Sequence, residues 1–423
     1  MDCLWITLAD PQPATNGQLI YSEGLIRAAR EAGAALTVVG LVRTEKPHPP
    51  GDQPGLAWRL AGETRWPAWR RALRAMPEVA QRGISPAMDR TLAAALDERA
   101  WDAIVFDSIC AAWALPAVLH YQAKRNPSAR LVYLSHNHET TVARRIASVA
   151  RGARRLYRAW DMLRLVRLER RLMARCDLVT SNTPDDTRTF AAEAAPTPVI
   201  LLPPGHGGHR VAERTIDGSV PRRAIIAGSF DWPPKRISLE RFLAEAVPVL
   251  TAAGIELQLV GETEPAYLAS LRQRFPAVRS EGRVDDVWPY LAKARLALVP
   301  DELGGFKLKG LDYVFNRLPI LAMRVALPGM PLEDGLSVGL FDSHRALAAG
   351  VVALIDDFVT LNRRQREAYD ACAMRFDWSR IGRHLVDTIR SLERPRQRAS
   401  GRARAAAGPS STPSIPVPPA AGR

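Results

Sequence analysis

The run Val199-Ile200-Leu201-Leu202-Pro203-Pro204-Gly205-His206-Gly207-Gly208 decides how this chain is organised. It begins as a short apolar stretch, the pattern of a buried strand, and ends in prolines and glycines that punctuate regular structure. The same rhythm holds on both sides of it. Upstream, residues 4–8, 36–42, 103–106, 131–134 and 178–180 are short apolar runs, separated by amphipathic patterns such as 20–32 and 90–99. Downstream, 224–227, 256–260, 296–299 and 319–323 are the apolar runs, with helical patterns over 239–253, 266–275, 308–315 and 344–356. A parallel strand covered on both faces is apolar throughout, and a helix carries the chain to the next one. The alternation therefore predicts an α/β protein of two Rossmann-like, doubly wound domains, 1–203 and 204–375. A helical segment, 376–393, and a disordered basic tail, 394–423, are expected to follow. The tail is Arg, Ala, Ser, Pro and Gly with almost no large apolar residue, so it cannot bury enough surface to offset its ordering entropy.

The chain of 423 residues is 47% hydrophobic and 24% charged, a globular composition. Its formal charge of +14 first suggests an anionic partner such as nucleic acid. The excess is local. Residues 394–423 hold six arginines and no acid, and 143–175 hold eleven arginines against Asp161 and Glu169. The rest is nearly neutral, which argues against a nucleic-acid-binding field. Cys3, Cys110, Cys176 and Cys372 are far apart and form no CxxC, the usage of a reduced chain without a zinc site. Residues 1–10 read as a first strand and not a signal peptide, and no apolar stretch is long enough to cross a membrane. A cytoplasmic protein is expected, with any membrane contact peripheral at the inner face.

The chemistry-bearing runs lie mostly in the second half. Gly228-Ser229-Phe230-Asp231-Trp232-Pro233-Pro234-Lys235-Arg236 joins a strand to a helix. Such a turn presents free backbone N–H groups, and Lys235 and Arg236 add charge for a phosphate; an ordinary loop with solvated basic residues is the alternative. Val299-Pro300-Asp301-Glu302-Leu303-Gly304-Gly305-Phe306-Lys307-Leu308-Lys309-Gly310-Leu311-Asp312 opens the next helix with two lysines and a carboxylate. N–H groups and lysines suit a diphosphate, and the carboxylate suits ribose hydroxyls. In the first half, Ser135-His136-Asn137-His138-Glu139 follows a strand. His-x-His can hold a metal or stand as satisfied loop histidines, and no Cys/His cluster accompanies it.

Together these runs resemble the retaining GT-B glycosyltransferases of the glycogen-synthase-like superfamily. The resemblance rests on 228–235, on Gly282-Arg283-Val284-Asp285-Asp286-Val287-Trp288-Pro289-Tyr290-Leu291, and on 304–312, which matches the Gly-Gly-Gly-x-Arg-Leu-Lys branch. It extends to the glycine loop at 13–17, to Cys176-Asp177-Leu178-Val179-Thr180-Ser181-Asn182, and to Phe376-Asp377-Trp378. The family's Glu-x7-Glu pair falls here on Gly304 and Asp312, and its Asn after Trp-Pro falls on Lys235. The resemblance implies a GT-B fold whose two domains face each other across a cleft, with the segment 376–393 packed back on the first domain. It implies a nucleotide-sugar donor on the second domain, an acceptor entering from the first, and transfer with retention.

On that reading His136 and Lys235 are the catalytic candidates. Gly17, Ser229, Arg236, Gly304, Gly305, Phe306, Lys307 and Asp312 are the donor-binding ones. No Asp-x-Asp occurs, so lysine, arginine and a helix N-terminus are expected to take the cation's role, with no metal or other cofactor. The basic segment 143–175 places Arg151, Arg154, Arg155 and Arg158 on one helical face, while Val149, Ala153, Leu156, Trp160 and Leu163 line another. It is either a solvated helix docked on the first domain or a surface for an anionic membrane or lipid-linked acceptor. The tryptophan-rich stretch Trp58, Trp66 and Trp69 either joins that surface or lies in the core. The rival functions are a catalytically inactive GT-B scaffold that binds a partner, and a GT-B epimerase or phosphorylase.

Overall fold

The computed structural model describes residues 1–393 except 15, 44–50, 65, 68–73, 150–151, 231–232 and 303–304. The segment 394–423, read as a disordered tail, lies outside the described residues, as do Gly304, Arg151 and Trp69. The first half runs β1 (Asp2–Ala9), α1 (Gly17–Glu31), β2 (Ala35–Leu41), β3 (Leu56–Ala61), α2 (Pro86–Glu98), β4 (Ala103–Asp107), α3 (Leu115–Lys124), β5 (Arg130–Leu134), α4 (Glu139–Val149), α5 (Ala153–Arg175), β6 (Leu178–Ser181), α6 (Pro184–Ala194) and β7 (Val199–Leu201). The second half runs β8 (Arg223–Ala227), α7 (Pro233–Ala252), β9 (Glu256–Val260), α8 (Pro265–Arg274), β10 (Val278–Gly282), α9 (Trp288–Ala292), β11 (Leu296–Val299), α10 (Leu308–Phe315), β12 (Ile320–Met323), β13 (Gly339–Phe341), α11 (His344–Leu354), α12 (Phe358–Cys372) and α13 (Trp378–Ser391).

Two parallel sheets result, ordered β3-β2-β1-β4-β5-β6-β7 and β10-β9-β8-β11-β12-β13. In each the strand order reverses once beside the first strand, between β1 and β4 and between β8 and β11. Open α/β sheets bind ligands at the carboxyl ends of the strands at such a reversal. The apolar runs form the buried inner strands, except the one at 199–202: its strand β7 is the edge of the first sheet and only part-buried, with Leu201 exposed. Three strands escape an apolar-run search because their burial alternates or they are very short. Leu56–Ala61 carries Arg59, Val278–Gly282 exposes Arg279, and Gly339–Phe341 has only three residues.

The basic segment 143–175 is two helices, not one, broken at Gly152, whose φ of +59° a side chain would strain. Trp58 is buried in the first core, and Trp66 donates its indole N–H to the Ile84 carbonyl at 2.9 Å.

The helix α13 lies on the first half. Trp378, Ile381, Leu385, Val386 and Ile389 join the core that holds Trp5, Tyr21 and Leu25. Gly382 sits against α1 so closely that a Cβ there would stand 2.3 Å from the Ala28 oxygen. The chain thus crosses between the halves twice, at 202–222 and before Trp378. The two crossings touch where the His206 N–H donates to the Phe376 carbonyl at 2.9 Å.

Candidate active site

In the second sheet the crevice between β8 and β11 is lined by Gly228, Ser229, Lys235, Ser238, Asp301 and Lys309. Local chain chemistry shapes it. Gly261, at φ +136°, lets the loops after β8 and β9 meet, and a Cβ there would fall 1.8 Å from the Gly228 oxygen. Asp301 is buried just past β11, with Lys309 Nζ at 2.6 Å and Lys307 Nζ at 4.0 Å from its carboxyl. Burial alone would raise this carboxyl. Lys309, Lys307 and Lys235 outweigh burial and hold it below the usual carboxylate range. Burial pushes the Lys307 ammonium down to about 8, with Asp301 opposing and the other two lysines reinforcing. Lys235 Nζ also donates to the Ser229 carbonyl at 3.4 Å. Three lysines around one carboxylate leave a surplus of positive charge in a partly desolvated crevice, a setting for phosphate oxygens.

Not every predicted donor residue turns toward that crevice. The Arg236 guanidinium donates to the Phe230 carbonyl at 2.8 Å, pairs with Glu264 at 2.9 Å, and stacks over Tyr267. Phe306 packs its ring against Phe376, at 5.6 Å between centroids.

In the first half the loop after β5 carries His136, 8% exposed. Its Nε2 lies 2.7 Å from Asp107 Oδ1, and the other Asp107 oxygen accepts the Trp5 indole N–H at 2.9 Å. Tyr21 meets the imidazole edge-on at 5.0 Å, and the Asn182 amide donates to the His136 carbonyl. Asp107 ends β4, and a single Asp at a strand end carries no motif by which the sequence alone marks it.

The other histidine of the pair, His138, is buried with Nδ1 2.6 Å from Thr141 Oγ1 and Nε2 3.5 Å from Glu193. Among the described residues no group of three His, Cys, Asp or Glu side chains could hold a metal. Buried Glu169 accepts the first two N–H groups of α4, from Glu139 and Thr140, at 3.0 and 2.8 Å. Burial, and then the facing Glu169, push the Glu139 carboxyl up to about 7, with Asn137 opposing and Asp186 adding.

The halves meet around these groups. The Asn137 oxygen lies 3.4 Å from where a Cβ on Gly305 would stand, and Gly305 has φ +92°. Gly17, the first residue of α1, stands opposite Leu308, the first of α10, with 3.6 Å from its Cβ position to Leu308 Cδ1. Asp312, one turn into α10, has His206 Nδ1 at 3.6 Å. His136, Gly17, Gly305 and Asp312 thus face a common interdomain region, and the lysine crevice lies at the base of the same α10.

The apolar stripe of the basic helix faces away from the domain. Leu156, Trp160 and Leu163 do not pack on the domain; they are 77%, 48% and 45% exposed. The docking stripe is Tyr157, Asp161, Arg164, Leu165, Leu168 and Leu172, one helical face at three- and four-residue spacing. Its first half is polar. Asp161 accepts the Glu78 N–H at 2.9 Å, and Arg164 donates to the Arg74 carbonyl and pairs with Asp161. Polarity there is inverted, so the apolar residues point outward. They share the exposed part of the helix with Arg154 and Arg155, while Arg158 pairs with Glu78 at 3.2 Å. Among the described residues no helix is long and apolar enough to cross a membrane.

Residues 221–357 match the family model described as glycosyl transferases group 1. No curated protein matches the sequence at a significant level. Similar solved structures include sucrose-phosphate synthase from Thermosynechococcus elongatus, at 17% identity and a TM-score of 0.68, over 93% of this chain and 99% of that one. HepE from Anabaena, solved with UDP and glucose, is 14% identical at a TM-score of 0.62, over 93% and 100% of the two chains. WaaG, a glycosyltransferase involved in lipopolysaccharide biosynthesis, is 15% identical at 0.53, over 94% and 98%. Likeness over almost the whole of each chain shows that this protein has the GT-B fold.

Proposed function

We propose that the protein is a glycosyltransferase moving a hexose-like sugar from a nucleotide-sugar donor to an acceptor, with retention and without a metal. The observation that carries this reading is the lysine crevice at the strand-order reversal of the second sheet, opposite the buried His136–Asp107 pair of the first. In such a transfer the hard step is departure of a diphosphate from an oxocarbenium-like carbon, and negative charge grows on the leaving oxygens. Lys235, Lys307 and Lys309, already gathered on Asp301, stabilise that charge more in the transition state than in the ground state. The backbone amides of 305 and 306 add to them, and Asp312 receives the ribose. His136 holds the sugar. With Asp107 as a carboxylate accepting from Trp5, Nε2 carries the hydrogen toward Asp107, and Nδ1 is the atom offered to a sugar hydroxyl.

The acceptor is a glycan or lipid-linked intermediate entering beside α4 and α5. The exposed Leu156, Trp160 and Leu163 among arginines favour peripheral contact with an anionic bilayer, apolar side chains inserting and arginines meeting headgroups. On this reading the enzyme works in the cytoplasm, at the inner face of the membrane. UDP-, GDP-, ADP- and dTDP-sugars, screened by calorimetry and then by transfer of labelled sugar, test the reading. One donor class is expected to bind at micromolar affinity and to give transfer only with an acceptor. Absence of binding by every donor would overturn it.

A further inference from the structure

The linker histidine His206 has no part in the reading above, yet the fold presses it against the ribose carboxylate. Its ring stacks on Phe315 at 4.6 Å, 21° from parallel, and its side chain is 5% exposed. Nε2 lies 3.2 Å from the His209 carbonyl oxygen, which only accepts, so Nε2 carries the hydrogen. The remaining nitrogen, Nδ1, faces Asp312 Oδ1 at 3.6 Å. Burial pushes the imidazole down to about 4, with the His209 carbonyl opposing and Arg210 adding to the fall. Burial likewise pushes the Asp312 carboxyl up to about 6, although 44% of its side chain stays exposed. At neutral pH the ring is therefore neutral and the carboxyl ionised. A nitrogen lone pair and a carboxylate oxygen then face each other with no hydrogen between them. Gly208 leaves the approach open, since a Cβ there would stand 3.0 Å from the His206 ring and 3.8 Å from Asp312 Oδ1.

We propose that His206 Nδ1 and Asp312 form a two-acceptor clamp for the vicinal hydroxyls of the donor's ribose, so that the linker between the halves reads ribose against deoxyribose. Each hydroxyl donates to one acceptor, and the diol supplies the hydrogens that the empty pair lacks. The inference rests on the nucleotide-sugar reading of this cleft.

Calorimetry with UDP, GDP and ADP and their 2′-deoxy and 3′-deoxy forms tests it on the wild type and on His206→Phe, which keeps the ring stacking. His206→Leu, which also lacks the acceptor, serves in its place if the Phe variant does not fold. The wild type is expected to bind a ribonucleotide about tenfold more tightly than at least one deoxy form, and the variant to bind the two alike. Wild-type indifference to the hydroxyls, or a variant that keeps the full preference, would overturn the clamp while leaving the donor reading intact. If no ribonucleotide binds the wild type, the donor reading fails and takes the clamp with it.

Discussion

The two halves use the same backbone device for different chemistry. Each sheet reverses its strand order once, and polar groups gather near the strand ends there. In the second half the crevice holds Lys235, Lys307 and Lys309 around one buried carboxylate. In the first, β4 and β5 end in a hydrogen-bonded relay of Trp5, Asp107 and His136 linked at 2.9 and 2.7 Å. One side is built for charge and the other for orientation, and topology alone does not distinguish them.

The sharpest way to break this contrast is at the lysines. Lys235→Ala is expected to lower kcat by about a hundredfold or more, the scale of losing one preorganised stabilising group, as read in labelled-sugar transfer. Near-wild-type turnover would remove Lys235 from the leaving-group site. On the other side, Asp107→Asn is expected to lower kcat about tenfold or more while leaving donor-nucleotide affinity unchanged. The amide keeps the shape but offers the imidazole a different partner. A variant that lost nucleotide affinity in proportion would erase the division of labour.

The fold was legible in the sequence wherever strands are buried on both faces, because an apolar run then needs no alternation to be recognised. The lysine crevice was legible for a similar reason: Lys235, Lys307 and Lys309 lie within two short loop–helix runs. What was hidden depends on contacts between distant positions. Asp107 and His136 come from neighbouring strands, and His206 reaches Asp312 only after the chain has built a second sheet. Which face of α5 meets the domain was not legible, because its docking face begins with Tyr157, Asp161 and Arg164, polar residues satisfied by Glu78 and Arg74. Periodicity finds an amphipathic helix, but it does not say which face meets the protein.

Two smaller effects sharpen the comparison. Glu139 begins α4 beside His136, and its carboxyl is held up at about 7 against an ordinary 4.5. The folded protein keeps that proton where the unfolded chain has lost it. Its relative stabilisation is complete below about pH 4.5 and is lost as pH rises through about 7. Glu139→Gln is expected to flatten this part of the stability–pH curve by about 2 kcal/mol, measured by denaturant unfolding at pH 4.5 and 8. An unchanged slope would show that burial does not perturb this group. Smallest of all, Leu156→Gln with Trp160→Gln is expected to change stability by less than about 1 kcal/mol, since Leu156 is largely exposed and Trp160 half-exposed with its ring against Arg164. The same pair is expected to cut co-sedimentation with vesicles of anionic lipid severalfold. A large fall in melting temperature would mean that these residues pack on something in the free protein.

The most direct test of the central claim is nucleotide affinity, measured by calorimetry with the nucleoside diphosphate of the donor that binds the wild type, on Lys309→Ala and Asp107→Asn side by side. The account predicts affinity weakened about tenfold or more by the lysine substitution and unchanged by the Asp107 substitution. Equal losses in both, or a loss confined to Asp107→Asn, would contradict it.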